Sequence, residues 1–142
     1  MDNRRRQTKR GLLMAAILIL IALAVRFHGG SKGEYIGTFD VSHYCLEVWE
    51  GEYHICGNSP YGCGGDRLVP GESLAVPGSV LEKYPVGTKV MLRYPDGKKE
   101  TLVIQDTGRA LERLWRLDLP VSTHKEALSR GVIEDVELYK IK

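Results

Sequence analysis

The sequence predicts a small, mainly β domain, either a barrel or a sandwich, with one short helix and a hydrophobic N-terminal helix in front of it. Three observations predict this class. Phe39, Val41, His43 and Cys45 alternate with Thr38, Asp40, Ser42 and Tyr44, which is the period of a half-buried strand. Pro95-Asp96-Gly97 is a turn signal set between two apolar runs. Residues 58–70 are rich in Gly, Pro, Asn and Asp and read as loop, and only one stretch, near the C-terminus, carries a capped helical signature.

In chain order, residues 1–10 hold Arg4, Arg5, Arg6, Lys9 and Arg10 against the single acid Asp2. Residues 11–25 (GLLMAAILILIALAV) then run without a charge up to Arg26. A basic flank ahead of an apolar run is the pattern of a signal anchor or signal peptide, with the basic side held in the cytoplasm. The run is 15 residues long, short of the roughly 20 that span a bilayer comfortably. Ala22-Leu23-Ala24 fits the small-x-small rule for cleavage. Against cleavage, Arg26 directly follows the cut, and Phe27 extends the apolar run. The expectation is a domain outside the cytoplasm: a single-pass membrane protein with a cytoplasmic N-terminus, or a secreted one if the leader is removed.

Residues 28–34 (HGGSKGE) read as a linker, and 35–142 as one working domain. Beyond residue 27 the chain holds 14 Lys and Arg against 17 Asp and Glu, so it is mildly acidic. No basic stripe interleaves with aromatics, which excludes the usual nucleic-acid-binding classes. Cys45, Cys56 and Cys63 lie close together in sequence. In an oxidising compartment they are disulfide candidates, one pair and one remaining thiol. His43 and His54 sit nearby, but no C-x-x-C pair is present, so no metal site is assigned.

Strands follow from Tyr35 to Cys45, and residues 48–56 read as a hairpin turning at Glu50-Gly51. Further strands are expected at 73–76, at 86–94 and at 100–105, the last two paired through the Pro95-Asp96-Gly97 turn. Residues 108–116 mix helix formers without a clean period. Residues 117–121 read as a strand end, and Ser122 as the N-cap of a helix over 123–130 stopped by Gly131. Residues 132–141 close the domain as a last strand.

The blocks LAVPGSVLEKYPVGTKVML, QDTGRALERLWRLDL and VIEDVELYKI, after the opening YIGTFDVSHYC, resemble the three-aspartate ("3D") domain. That family is found in exported proteins of Gram-positive bacteria and their phages, and is related to the catalytic domain of MltA-type lytic transglycosylases. The resemblance runs from about residue 35 to 141 and implies a six-stranded double-psi β-barrel. Asp106 matches the family's second aspartate and Asp118 its third, the expected general acid/base. Pro77 stands where the first aspartate is expected. Arg109 stands where the family prefers a second glycine, and RALERLWR replaces its usual loop.

The reaction this resemblance implies is cleavage of the β-1,4 bond between N-acetylmuramic acid and N-acetylglucosamine in peptidoglycan glycan strands, with no cofactor. Asp118 would act as the acid, in the apolar setting of Leu117, Leu119 and Pro120. Asp106 would orient it or contact sugar, and Thr107, Gly108 and Asp66 are the substrate-binding candidates. Each also has a structural reading: an Asp-Thr-Gly at a strand end is often simply a turn. Trp49, Tyr53, Tyr61 and Trp115 either stack on sugars or serve the core. The class opposed to an enzyme is an inactive barrel that binds wall glycan, or protein partners in an envelope assembly.

Overall fold

The computed structural model describes residues 33–46 and 59–142. The chain divides into two units, Met1–Ser31 and Lys32–Lys142, and every described residue belongs to the second. The expected N-terminal helix, the hairpin at Glu50-Gly51 and Cys56 all lie outside the described residues. Among the described residues, no helix is long and apolar enough to cross a membrane.

Six strands form the domain: β1 (Glu34–Cys45), β2 (Ser73–Val76), β3 (Lys89–Arg93), β4 (Lys99–Thr107), β5 (Arg116–Val121) and β6 (Ile133–Lys140). They close into a barrel in the order β1-β5-β2-β4-β3-β6. Pairs β1/β5 and β2/β4 are parallel, and the remaining neighbours are antiparallel. Closure leaves no sheet edge to template aggregation. β1 is long enough to serve two neighbours: its first part pairs with β6 and its last part with β5. Between β2 and β5 the registered pairing is the single pair Ala75↔Asp118.

Alternation fills the interior. Phe39 and Val41, Leu74 and Val76, Val90 and Leu92, Leu102 and Ile104, Leu117 and Leu119, and Val136 and Leu138 all point inward and are buried. Each strand thus contributes residues two apart, as a pleated sheet requires. Removing such a side chain costs about 2–5 kcal/mol once the residual cavity is counted. The expected strand at 73–76 is β2 residue for residue, and the expected hairpin is β3/β4, whose turn places Gly97 at φ 87°.

The expectation of one short helix is corrected: there are three among the described residues. These are α1 (Gly78–Lys83), α2 (Arg109–Leu114) and α3 (His124–Arg130). The first two are six residues long and bury one side chain each, Val80 and Leu111. With less than two turns, neither can display a 3.6-residue period. In α3 the N-cap is Thr123 rather than Ser122. The Thr123 hydroxyl accepts from the Glu126 N–H at 3.1 Å, and the Glu126 carboxylate accepts from the Ser122 N–H at 3.3 Å. The spacing of Thr123 to Glu126 is that of a capping box, which decides the cap one residue later.

Candidate active site

The parallel register of β1 and β5 builds an outward-facing polar row. Asp40 pairs with Arg116, Ser42 with Asp118 and Tyr44 with Pro120, while the intervening Val41, Leu117 and Leu119 face the core. Asp118 also pairs with Ala75 of β2, and Ala75 pairs in turn with Asp106 of β4. The two aspartates therefore stand on either side of Ala75, one strand away each. They do not sit on neighbouring strands.

Three buried side-chain polar atoms among the described residues make no hydrogen bond, and all three lie in this row: Tyr44 Oη, Arg116 Nε and Asp118 Oδ1. Buried polar groups are ordinarily paired, and these three atoms are exceptions clustered on one face of the barrel. Burial pushes the Asp118 carboxyl up to about 6. The Ser42 hydroxyl, the Leu119 amide and the Arg116 charge oppose the rise, and the Asp106 charge adds to it. Ser42 also lies 3.4 Å from the Leu117 carbonyl oxygen, to which its hydroxyl donates. Burial, then the charges of Asp106 and Asp118, push the Tyr44 phenol far above its ordinary value. Arg116 Nη2 is 4.0 Å from Asp40 Oδ2, a long contact that leaves the guanidinium only loosely held.

The other sequence candidates are engaged by the fold. Asp106 Oδ1 accepts the Cys63 N–H at 3.0 Å, which fastens the 59–70 loop to β4. Gly62 makes the approach possible, because a Cβ there would collide with the Gln105 carbonyl oxygen. Thr107 Oγ1 donates to the Val76 carbonyl at 2.7 Å, and Gly108 is the N-cap of α2. Asp66 is exposed on the loop, where its backbone carbonyl accepts from Gly62 N–H at 2.9 Å. The candidates thus differ in setting: Asp118 lies in the unpaired row, Asp106 is tied to the loop, Thr107 and Gly108 make local contacts, and Asp66 is exposed.

Cys45 is buried, with its Sγ 3.9 Å from His124 Nδ1, and Cys63 is exposed on the loop. These two cysteines form no disulfide with each other, and Cys56 lies outside the described residues. Among the described residues, no group of three or more His, Cys, Asp or Glu is placed to hold a metal ion.

Ser42, Tyr44 and Arg116 were not singled out from the sequence as site residues. The alternation of β1 places Asp40, Ser42 and Tyr44 on the face opposite Phe39 and Val41, and Arg116 joins them through the β1/β5 register. Three hollows elsewhere, such as one of about 490 Å³ between His43, Tyr94 and Lys98, include neither aspartate.

A solved structure resembles this barrel. It is a mutant of the Clavibacter michiganensis expansin in complex with cellohexaose, with a TM-score of 0.50 and 16% sequence identity. The match covers 74% of this chain and 50% of the expansin chain, so the present chain spans about half the length of that neighbour. At this identity the likeness shows the fold: a six-stranded barrel of double-psi type. It supports the barrel implied by the sequence resemblance and does not extend to the three-aspartate family. No family model matches the sequence. No curated protein matches it either.

Proposed function

We infer that the barrel acts on a β-1,4-linked cell-wall polysaccharide, with Asp118 as the general acid/base of a lytic transglycosylase. The observation that carries this reading is Asp118 itself, a half-buried carboxyl near pKa 6 with one oxygen unpaired, in a row with two other unpaired polar atoms. A general acid works best when its pKa lies near the operating pH. With a value of about 6, about a tenth of the Asp118 carboxyls carry the proton at pH 7. The expansin neighbour was solved with a glucan oligosaccharide, which agrees in kind with a polysaccharide ligand.

In the proposed step, the Asp118 proton passes to the glycosidic oxygen as the bond to the anomeric carbon breaks. The C6 hydroxyl of the same sugar attacks that carbon, and its proton returns to the Asp118 carboxylate. The product is a 1,6-anhydro sugar, and no water is consumed. One carboxyl suffices for this sequence, whereas a glycoside hydrolase requires two facing the bond. Asp106, with an oxygen engaged by the Cys63 amide at 3.0 Å, is poorly suited to be the second. In this reading Tyr44 and Arg116 flank the acid, with Tyr44 Oη and Arg116 Nε buried beside it.

A second reading is favoured by one position. Pro77, where the resemblance expects an acid, is fully buried as the N-cap of α1 and brings no polar group. An inactive barrel that binds glycan by the same row would have this composition. The full chain, solubilised in detergent and incubated with purified peptidoglycan, separates the two. Muropeptides carrying 1,6-anhydro ends that vanish in Asp118→Asn support the transglycosylase. Hydrated reducing ends refute the mechanism, and binding without products selects the inactive barrel.

A further inference from the structure

The chain enters the barrel at one corner, and the strand register collects positive charge there. Gly33 packs against the end of β6, where a Cβ would meet the Lys140 carbonyl oxygen, and the next residue, Glu34, pairs with Lys140. On the other side of β6, Lys140 pairs with Val90, and the Lys89 carbonyl accepts from the Ile141 N–H at 3.0 Å. Lys140 Nζ lies 5.9 Å from the centre of the Tyr84 ring, which brings Lys83, the last residue of α1, to the same corner. Lys83, Lys89, Lys140 and Lys142 thus converge from three stretches of sequence, and all four are exposed. The acids of these segments are Glu34 and Glu82, and Glu34 already accepts the Tyr84 hydroxyl at 2.8 Å.

Among the described residues, none of the four lysines forms an ion pair, whereas Arg93, Lys98, Arg116 and Arg130 each have an acid partner. Two tyrosines accompany the lysines: Tyr35 is 55% exposed, and Tyr84 is half-buried. Lysine and tyrosine together suit a lipid headgroup layer. The ammonium meets phosphate, and the ring sits where the wet and apolar regions join. Residues 11–25 carry no charge, and on their reading as a signal anchor residues 26–33 are the whole tether. Fully extended, such a stretch reaches about 26–29 Å, and it is fastened to the barrel at this corner.

We propose that the basic corner around Lys83, Lys89, Lys140 and Lys142 docks on the anionic headgroups of the membrane in which the chain is anchored. Docking turns the Pro95-Asp96-Gly97 turn and α3 away from the lipid, so the barrel works in one orientation. It rests on the anchor reading of residues 11–25 and is independent of the reaction proposed for Asp118.

Amine footprinting of the full chain in vesicles tests this. A membrane-impermeant N-hydroxysuccinimide ester is applied to the chain reconstituted in phosphatidylcholine, and in phosphatidylcholine mixed with phosphatidylglycerol. Labelling of each lysine is read by mass spectrometry. Lys98, Lys99 and Lys125 serve as internal controls. The first two stand at the far end of the β3/β4 hairpin, and Lys125 follows His124, which lies against Cys45 at the far end of β1. Ratios within one chain cancel differences in how much protein faces outward. In the anionic vesicles, labelling of the four corner lysines relative to the controls should fall roughly fivefold, and high salt should restore it. Reversing Lys83→Glu and Lys89→Glu together should restore labelling at Lys140 and Lys142. The same reversal at Lys98 and Lys99 should leave Lys140 and Lys142 protected. All of these side chains are exposed, and an unchanged circular dichroism spectrum confirms that each variant folds. Equal ratios in the two vesicle types, or protection that survives the Lys83 and Lys89 reversals, overturn the docking. A chain that floats with neither vesicle overturns the anchor reading and the docking with it.

Discussion

Asp118 and Asp106 flank Ala75, each paired with it from an adjacent strand, and their surroundings differ. Asp118 Oδ1 is buried and unpaired, and its carboxyl is pushed up to about 6. Asp106 receives the Cys63 amide and ties a loop to the barrel. Two like-charged groups one strand removed from a small residue resemble an acid pair in sequence, but only one of them faces the unpaired row.

Asp118→Asn is expected to reduce anhydro-sugar release by about 10²–10⁴-fold, the usual contribution of a general acid, with the circular dichroism spectrum unchanged. In the wild type the rate should decline as pH rises above about 6, because the carboxyl loses the proton it must deliver. A flat profile from pH 5 to 8 would count against Asp118 as the acid.

The same raised value has a sign for stability. The folded state holds the Asp118 proton more tightly than the unfolded chain does, so ionisation disfavours folding. Wild type should therefore lose stability between its unfolded value of 3.8 and its folded value of about 6 as pH rises, then level off. Asp118→Asn lacks this term. Thermal melts should show the variant furthest above wild type at pH 7.5, with the gap closing towards pH 4.

Tyr44→Phe removes a buried hydroxyl that has no partner. Deleting such a group relieves a desolvation penalty of about 1–3 kcal/mol, so the melting temperature should hold or rise. Glycan affinity or turnover should fall in the same variant. A fall in both stability and activity would mean that the phenol serves the fold.

Gly62→Ala should act through the 59–70 loop. The new Cβ collides with the Gln105 carbonyl and must push the 59–70 loop off β4, breaking the bond from Cys63 N–H to Asp106. We expect a loss of about 1–3 kcal/mol in chemical denaturation, the range for backbone and overpacking defects. The exposed Cys63 thiol should also react faster with a maleimide once the loop lifts.

Much of the barrel was legible because its signals are short-range. The alternation from Phe39 to Cys45, the turn at Pro95-Asp96-Gly97 and the apolar run of Leu74 and Val76 each declare a strand within a few residues. Helices α1 and α2 stayed hidden because six residues carry no period. Strand order was hidden for a different reason. The parallel pairing of β1 with β5 joins residues 75 apart, such as Ser42 and Leu117, and no local pattern reports it. Asp118 could be singled out by resemblance, but Ser42, Tyr44 and Arg116 become its companions only through that long-range register.

The meeting of β2 and β5 at a single registered pair has a further consequence, because Asp118 is one half of that pair. A closed barrel is expected to open first where its staves are least laced together, and here the least-laced seam runs through Asp118. Breathing at that seam would wet Leu117 and Leu119 and let solvent reach a carboxyl whose proton affinity depends on being dry. The raised carboxyl and the joint between these two staves are one residue, so a substitution that tightens the seam would shift the proton affinity of Asp118 along with it.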